Sequence, residues 1–152
     1  MKTISTFIFC LFLVNILSAQ EEQAAPVKEQ IYQVVKEMPR FPGCENLDKE
    51  HLIKKCASEK MQHYLKTHPA IVALNENSKE KSKVVFRLIV RKTGKAELNK
   101  ILSVKEGTPP EGYEQAIATM VEEMPTWRPG SHGRPGGPKL SVYYNLVIRF
   151  GE

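Results

Sequence analysis

The chain has 152 residues, of which 41% are hydrophobic and 26% are charged. These values exclude a low-complexity or fully disordered chain, and the length suits one domain of ordinary size. The formal net charge is +5, but the basic residues are spread along the sequence without an Arg-rich helix or a row of aromatic residues. The composition therefore does not favour a nucleic-acid partner.

The first 19 residues have the pattern of a signal peptide. A lysine follows the initiating methionine, an apolar run extends from Ile4 to Leu17, and the small residues Ser18 and Ala19 precede a polar stretch. This pattern predicts an exported protein that is cleaved after Ala19. The alternative is a retained membrane anchor, although the run is shorter than the roughly 20 apolar residues of a membrane-spanning helix.

Export would leave two cysteines, Cys44 and Cys56. In an oxidising compartment an isolated pair of cysteines usually forms a disulfide, and we predict one here. Their spacing matches neither a redox C-x-x-C motif nor a common zinc site. The four histidines are scattered, so we predict no metal site and no cofactor.

Residues 20–36 form a polar lead-in, which is either a short strand or an arm that adheres to the domain. An arm with two prolines follows, and its apolar Phe41 is expected to pack onto the domain as a structural residue. A helix comes next, with Asn46 or Asp48 as its N-cap and Pro69 as its end. Its apolar face consists of Ile53, Ala57, Met61, Tyr64 and Leu65.

Two alternating segments predict a hairpin. Val84 to Arg91 is the first strand, Gly94 lies in the turn, and the second strand follows. Strict alternation places one set of residues of the second strand on a common face. These residues are Ala96, Leu98, Lys100, Leu102 and Val104.

A second helix is predicted after the hairpin. Thr108 and Glu111 have the spacing of a capping box, and apolar residues from Tyr113 to Met124 recur at helical intervals. Pro125 is expected to end this helix. The Gly- and Pro-rich loop that follows contains Trp127, which we expect to pack over the edge of the core.

The final segment, Lys139 to Phe150, alternates without interruption and predicts a long strand. Because no later segment is available to pair with it, we expect an exposed sheet edge that can accept another chain. The predicted fold is α+β, with two layers: a three-stranded antiparallel sheet covered by two helices in the order α-β-β-α-β. The partner-binding residues predicted on the last strand are Leu140, Ser141, Val142, Tyr143, Tyr144, Asn145, Leu146, Val147, Ile148 and Arg149.

From residue 37 to residue 152 the chain resembles the C-terminal domain of TonB-type energy transducers. The resemblance rests on four features in a common order: a proline-flanked arm, a helix followed by a proline, a hairpin with a glycine turn, and a Pro-x-Trp loop before a long strand. The segments are Met38-Pro39-Arg40-Phe41-Pro42-Gly43, His68-Pro69, Gly94, Met124-Pro125-Thr126-Trp127-Arg128-Pro129-Gly130, and Ile148-Arg149-Phe150.

The resemblance implies a periplasmic module that binds the N-terminal segments of outer-membrane TonB-dependent receptors. The segment would add as a strand to the last strand of the domain and so support energised uptake. It also implies that His68 and Pro69 belong to the partner-binding set and that Pro125, Trp127 and Gly130 are structural. Inner-membrane proton-motor proteins would be partners only if the leader is retained, and the long proline-rich spacer of the family is missing.

A second function class remains open. An exported structural or inhibitory protein could use the same edge strand to form a homodimer or to pair with another partner. No Ser-His-acid order and no Cys-His pair is evident in the sequence, so we predict no catalytic residues and no enzyme activity.

Overall fold

The computed structural model describes residues 29–134 and 136–151, which form a mixed α+β fold. The predicted leader (1–19) and residues 20–28 of the lead-in lie outside the described residues. The elements in chain order are β1 (Ile31–Tyr32), α1 (Glu50–Thr67), α2 (Pro69–Glu76), β2 (Ser82–Val90), β3 (Ala96–Lys105), α3 (Tyr113–Glu122), β4 (Gly130–Ser131) and β5 (Lys139–Phe150).

The long strand β5 lies inside the sheet, whose order is β1-β5-β2-β3. Strand β2 pairs antiparallel with β3, as the predicted hairpin requires, and also antiparallel with β5, while β1 adds in parallel and β4 adds a short antiparallel pair. The prediction of a three-stranded sheet was therefore wrong in extent. Two-residue strands are too short to produce a periodic pattern, which is why the sequence did not reveal β1 and β4.

The turn of the β2–β3 hairpin needs a glycine for two reasons. Gly94 has a φ of 89°, in the region that residues with a side chain rarely adopt. A Cβ atom at this position would also lie 2.2 Å from the carbonyl oxygen of Trp127. The Trp127 amide donates to the Gly94 carbonyl at 2.9 Å, so the turn fixes the Trp127 loop against the sheet.

The described residues contain three helices, and the prediction of two helices missed α2. Pro69 ends α1 as expected, but it also occupies the first position of α2, where proline is well tolerated. The side chain of His68 caps α2 by accepting from the Ala70 amide at 3.3 Å. None of the described helices is long and apolar enough to cross a membrane.

Two predicted helix caps were also wrong. Lys49, and neither Asn46 nor Asp48, precedes α1, and it makes no capping hydrogen bond with its side chain. The second predicted helix, α3, starts at Tyr113 after Gly112. The Thr108 amide instead donates to a carboxylate oxygen of Glu80 at 3.3 Å. The loop before α3 is therefore held by the segment that precedes β2.

The helices cover one face of the sheet, which we call the covered face. Alternate residues of β2, from Val84 to Val90, are fully buried there, as the periodicity predicted. They pack against apolar residues of the helices and of β5. The helix and β5 members of this core include Ala57, Met61, Leu65, Ile71, Ile117, Met120, Val121, Leu146, Ile148 and Phe150.

The opposite side of the sheet, the open face, carries the other residues of β2 and β5. The register between β3 and β2 shifts at two places, where Asn99 and Leu102 are extra residues of β3. At each place the side chains of β3 switch to the other face of the sheet. As a result Ile101 pairs with Phe86 on the covered face, while Lys100 pairs with Arg87 on the open face. The predicted common face of β3 was therefore wrong at Lys100 and Leu102, since strict alternation cannot anticipate a bulge, and the second shift returns Val104 to the covered face opposite Val84.

Candidate partner-binding edge

The first residues of β5 are not an open edge. Strand β4 pairs Gly130 with Leu140, and β1 pairs in parallel with Ser141 and Val142. The predicted edge from Leu140 to Arg149 is therefore occupied at its start. The lead-in folds back onto the last strand, and this contact between distant segments has no signature in either segment alone.

A carboxylate clamp fixes the lead-in at this end. Glu29 accepts from the Ser141 hydroxyl at 2.5 Å and from Arg91 Nη1 at 2.9 Å. The Ser141 hydrogen bond is the main cause that lowers the pKa of Glu29; burial opposes it, and the charges of Arg91 and Lys92 lower the pKa further. Ser141, a predicted partner-binding residue, is thus used within the fold.

A small apolar cluster holds the same end. Val142 and Leu140 of β5 pack against Val35, and Tyr32 and Met38 lie beside them. The cluster explains why the lead-in adheres, because its apolar residues are buried only when they contact β5. The two open interpretations of the lead-in are both realised: it has a short strand, and it adheres as an arm.

The rest of β5, after Val142, pairs with a strand on its β2 side. From Tyr143 to Phe150 it pairs with β2, and no other strand among the described residues pairs with it. We call the side that faces away from β2 the outer edge. Tyr144, Leu146 and Ile148 turn to the covered face, and the intervening residues of the predicted set, Tyr143, Asn145, Val147 and Arg149, lie on the open face.

A hollow of about 280 Å³ lies beside the start of the outer edge. Tyr144 of β5 contributes to its lining, together with the proline-flanked arm and one face of α1. The hollow is mostly apolar, with Met61 and Ala57 among the α1 residues. The complete lining is Met38, Pro39, Arg40, Phe41, Lys54, Ala57, Ser58, Met61 and Tyr144.

A second hollow, of about 290 Å³, lies beside the end of the outer edge. It is lined by Gln62, Leu65 and Lys66 of α1, by Ile71 and Asn75 of α2, and by Val147, Ile148 and Arg149 of β5. The two hollows follow one another along α1, and together we call them the α1 groove. The α1 residues that line the two hollows span about 18 Å along the helix, and the β5 residues that line them, Tyr144 and Val147 to Arg149, span about 17 Å along the strand.

Two basic residues, Arg40 and Lys54, line the first hollow. Arg40 is almost fully buried and forms an ion pair with Glu50. Lys54 lies 3.4 Å from the same carboxylate. Burial raises the pKa of Glu50, but the charges and hydrogen bonds of Arg40 and Lys54 outweigh it, so the pKa is lowered overall.

The disulfide between Cys44 and Cys56 is present, with Cα atoms 6.1 Å apart. It joins the arm to α1, and Phe41 of the arm is buried against Tyr64 and Trp127. The arm also pairs with the Trp127 loop through hydrogen bonds between Arg40 and Arg128 at 2.9 Å in both directions. These contacts fix the arm as one wall of the α1 groove.

The predicted structural residues lie around the Trp127 ring and the start of β5. Trp127 is 2% exposed and packs edge-on against Phe41 and Tyr144, with ring centroids 5.3 Å away in each case. A Cβ at Gly130 would lie 2.6 Å from a methyl group of Val142, so this position needs a glycine. Pro125 is exposed three residues beyond the end of α3.

His68 and Pro69 do not lie on the outer edge. His68 is 6% exposed, and both ring nitrogens are bonded within the fold, Nδ1 to the Ala70 amide and Nε2 to Glu123 at 3.0 Å. This arrangement places the proton on Nε2, since Nδ1 accepts. The structure thus gives His68 a capping role, and Pro69 is exposed as the first residue of α2.

The groove residues of α1 were not predicted from the sequence. Lys54, Ser58, Gln62 and Lys66 are exposed and recur every four residues, beside the predicted apolar face. That spacing was visible in the sequence, but only the position of β5 shows that this stripe faces a strand edge. The described residues contain no cluster of three or more His, Cys, Asp or Glu side chains that could hold a metal ion.

Comparisons with protein-family models, with curated proteins and with solved structures returned no match to this chain.

Proposed function

We propose that this chain is a TonB-like binding module that captures the N-terminal segments of outer-membrane TonB-dependent receptors by strand addition. The observation that carries the proposal is the outer edge of β5, which has a strand partner on its β2 side and the α1 groove on its other side. An extended segment that enters the groove would meet backbone N–H and C=O groups along this edge. The segment would add beside Tyr143 to Phe150, beyond the two residues that β1 covers.

The groove also gives a reason for selectivity. Alternate side chains of an added strand point to opposite faces of the sheet. One set would enter the two hollows beside α1, where Met61 and Leu65 offer apolar contact. The backbone would supply affinity, and the hollows would select the side chains.

The disulfide supports the exported and periplasmic part of the proposal, because disulfides persist in oxidising compartments. In this proposal the module binds and does not catalyse a reaction. Coupling to inner-membrane proton-motor proteins requires a retained leader, whereas a cleaved leader gives a soluble binder.

Strand addition can be tested with synthetic peptides that cover the N-termini of the organism's own outer-membrane receptors, read by amide chemical shifts. Shifts are expected along Tyr143 to Phe150 and in the α1 groove. The decisive peptides carry N-methyl groups on alternate residues in two offset sets. One set should abolish binding and the other should leave it nearly intact, because only alternate N–H groups of a strand face its neighbour.

Groove variants provide a matched test in the protein. Ser58→Trp and Gln62→Trp fill the two hollows and should block the peptide, whereas Glu59→Trp, on an exposed position of α1 outside both linings, should not. Peptide shifts confined to the helices, or equal effects of all three variants, would contradict strand addition. A mass that doubles with protein concentration, lost in the groove variants, would instead support the alternative of a homodimer through the same edge.

A further inference from the structure

Basic side chains lie in two rows that cross the open face. In the first row Lys83 of β2 stands directly opposite Lys105 of β3 on one side and Arg149 of β5 on the other. In the second row Arg87 of β2 stands opposite Lys100. The five basic residues come from three strands that are distant in sequence, so only the folded sheet brings them together.

This arrangement works against the stability of the sheet. Like charges directly opposite each other on neighbouring strands are destabilising, and Lys83 and Lys105 form such a pair. Within β2, β3 and β5 the acidic residue is Glu97, which lies at the other end of the face and is bonded to Arg91; Glu29, beside β1, is bonded to the same arginine. Folding alone would favour an acidic residue at one of the two positions of the Lys83–Lys105 pair.

The second basic row depends on a bulge. The extra residue Asn99 shifts the register of β3, and this shift turns Lys100 to the open face beside Arg87. Arg87 is held by a hydrogen bond from Nε to Asn145 at 3.1 Å, and its guanidinium lies 5.2 Å from the centre of the Tyr143 ring. These two contacts fix the orientation of Arg87, and most of its five N–H donors make no hydrogen bond to the described residues.

An apolar row separates the two basic rows. Val85 and Val147 face each other across β2 and β5, and Ser103 completes the row on β3. Successive rows are about 6.6 Å apart, so the basic rows are about 13 Å apart. The open face thus offers positive charge, a half-buried apolar strip, and positive charge again.

We propose that the open face is a docking surface for an acidic polypeptide segment in which apolar residues lie between two groups of carboxylates. A bilayer fits less well, because the two valines are only half exposed and no large apolar side chain of this face protrudes. Single-stranded nucleic acid fits less well, because the one aromatic ring on this face, Tyr143, is covered by Arg87. This surface shares Val147 and Arg149 with the lining of the second hollow, but its other basic residues lie on β2 and β3, so the proposal does not depend on strand addition.

The probe is the synthetic peptide Glu-Glu-Val-Leu-Val-Glu-Glu, and its Gln-for-Glu version is the peptide control. The acidic peptide should shift the amide signals of the open-face residues of β2, β3 and β5, and the Gln-for-Glu peptide should not. Binding of the acidic peptide should weaken as salt is added. The triple variant Lys83→Gln, Lys100→Gln and Lys105→Gln should bind the peptide about tenfold more weakly, since three charge contacts are lost together.

The matched control removes the same charge elsewhere, with Lys55→Gln, Lys79→Gln and Lys95→Gln at exposed positions off the open face. It should retain the affinity of the unchanged protein for the peptide. Equal losses in the two triple variants, shifts away from the open face, or no binding of the acidic peptide would overturn the proposal. Tighter binding of phosphatidylglycerol vesicles or of an oligouridine than of the peptide, with shifts on the open face, would overturn it in favour of that partner.

Discussion

The two faces of the sheet differ in what determines their residues. On the covered face, Phe86 and Leu88 are fully buried and pack against the helices. On the open face, Lys83 stands directly opposite Lys105, and like charges in such positions cost stability. Burial explains every alternate residue of β2 on the covered face, whereas burial does not explain the basic residues on the open face.

The largest effect is expected at the margin of the covered face, from Trp127→Ala. Truncation of a buried Trp removes its contacts with Phe41 and Tyr144 and leaves a cavity. The free energy of unfolding should fall by about 4 kcal/mol, measured by denaturant titration. Lys100→Ala on the open face is the control and should change it by less than about 0.5 kcal/mol. A loss below about 1 kcal/mol for Trp127→Ala would mean that the ring contributes little to the covered face.

A smaller effect is expected from removal of the Cys44–Cys56 disulfide, which holds the arm over the covered face. Replacement of Cys44 and Cys56 by Ser should lower the free energy of unfolding by about 3 kcal/mol, because the unfolded chain gains freedom. Amide exchange in residues 38–43 should accelerate more than exchange in β2. Unchanged exchange in the arm would show that Phe41 and the Arg40–Arg128 pairing hold it without the disulfide.

The covered face was predictable because burial imposes a period. The alternation of β2, the helical spacing of Met61 and Leu65, and the bounds of β5 all follow from residues that must avoid water. The Cys44–Cys56 pairing was also correct. Helix α2 was missed because Pro69 was interpreted only as the end of one helix, although proline is also a favourable first residue of the next.

The candidate sites depend on features that no local pattern contains. The outer edge of β5 starts at Tyr143 because a lead-in more than 100 residues earlier reaches β5 and is fixed there by Glu29. The second basic row of the open face exists because Asn99 is an extra residue in β3. Both are contacts between distant segments, and a one-residue shift in register moves a side chain to the other face.

The smallest effect, and the one with the opposite sign, is expected on the open face. Lys83→Gln removes a charge that stands opposite both Lys105 and Arg149. Relief of the like-charge pair with Lys105 should raise the free energy of unfolding by about 0.5 kcal/mol. The gain should shrink at high salt, because exposed charges are then screened, and denaturant titrations at low and high salt would measure both values.

Lys79→Gln is the matched control, since it removes one exposed lysine outside the sheet. If it stabilises the protein as much as Lys83→Gln does, the gain reflects the net charge of +5 and not the row on the open face. If Lys83→Gln destabilises the protein, Lys83 supports the fold and the premise of a costly row fails. If Lys83→Gln stabilises the protein and also binds the acidic peptide more weakly, then Lys83 lowers stability and contributes to binding. No residue of the covered face is expected to combine these two effects, because burial determines the residues there.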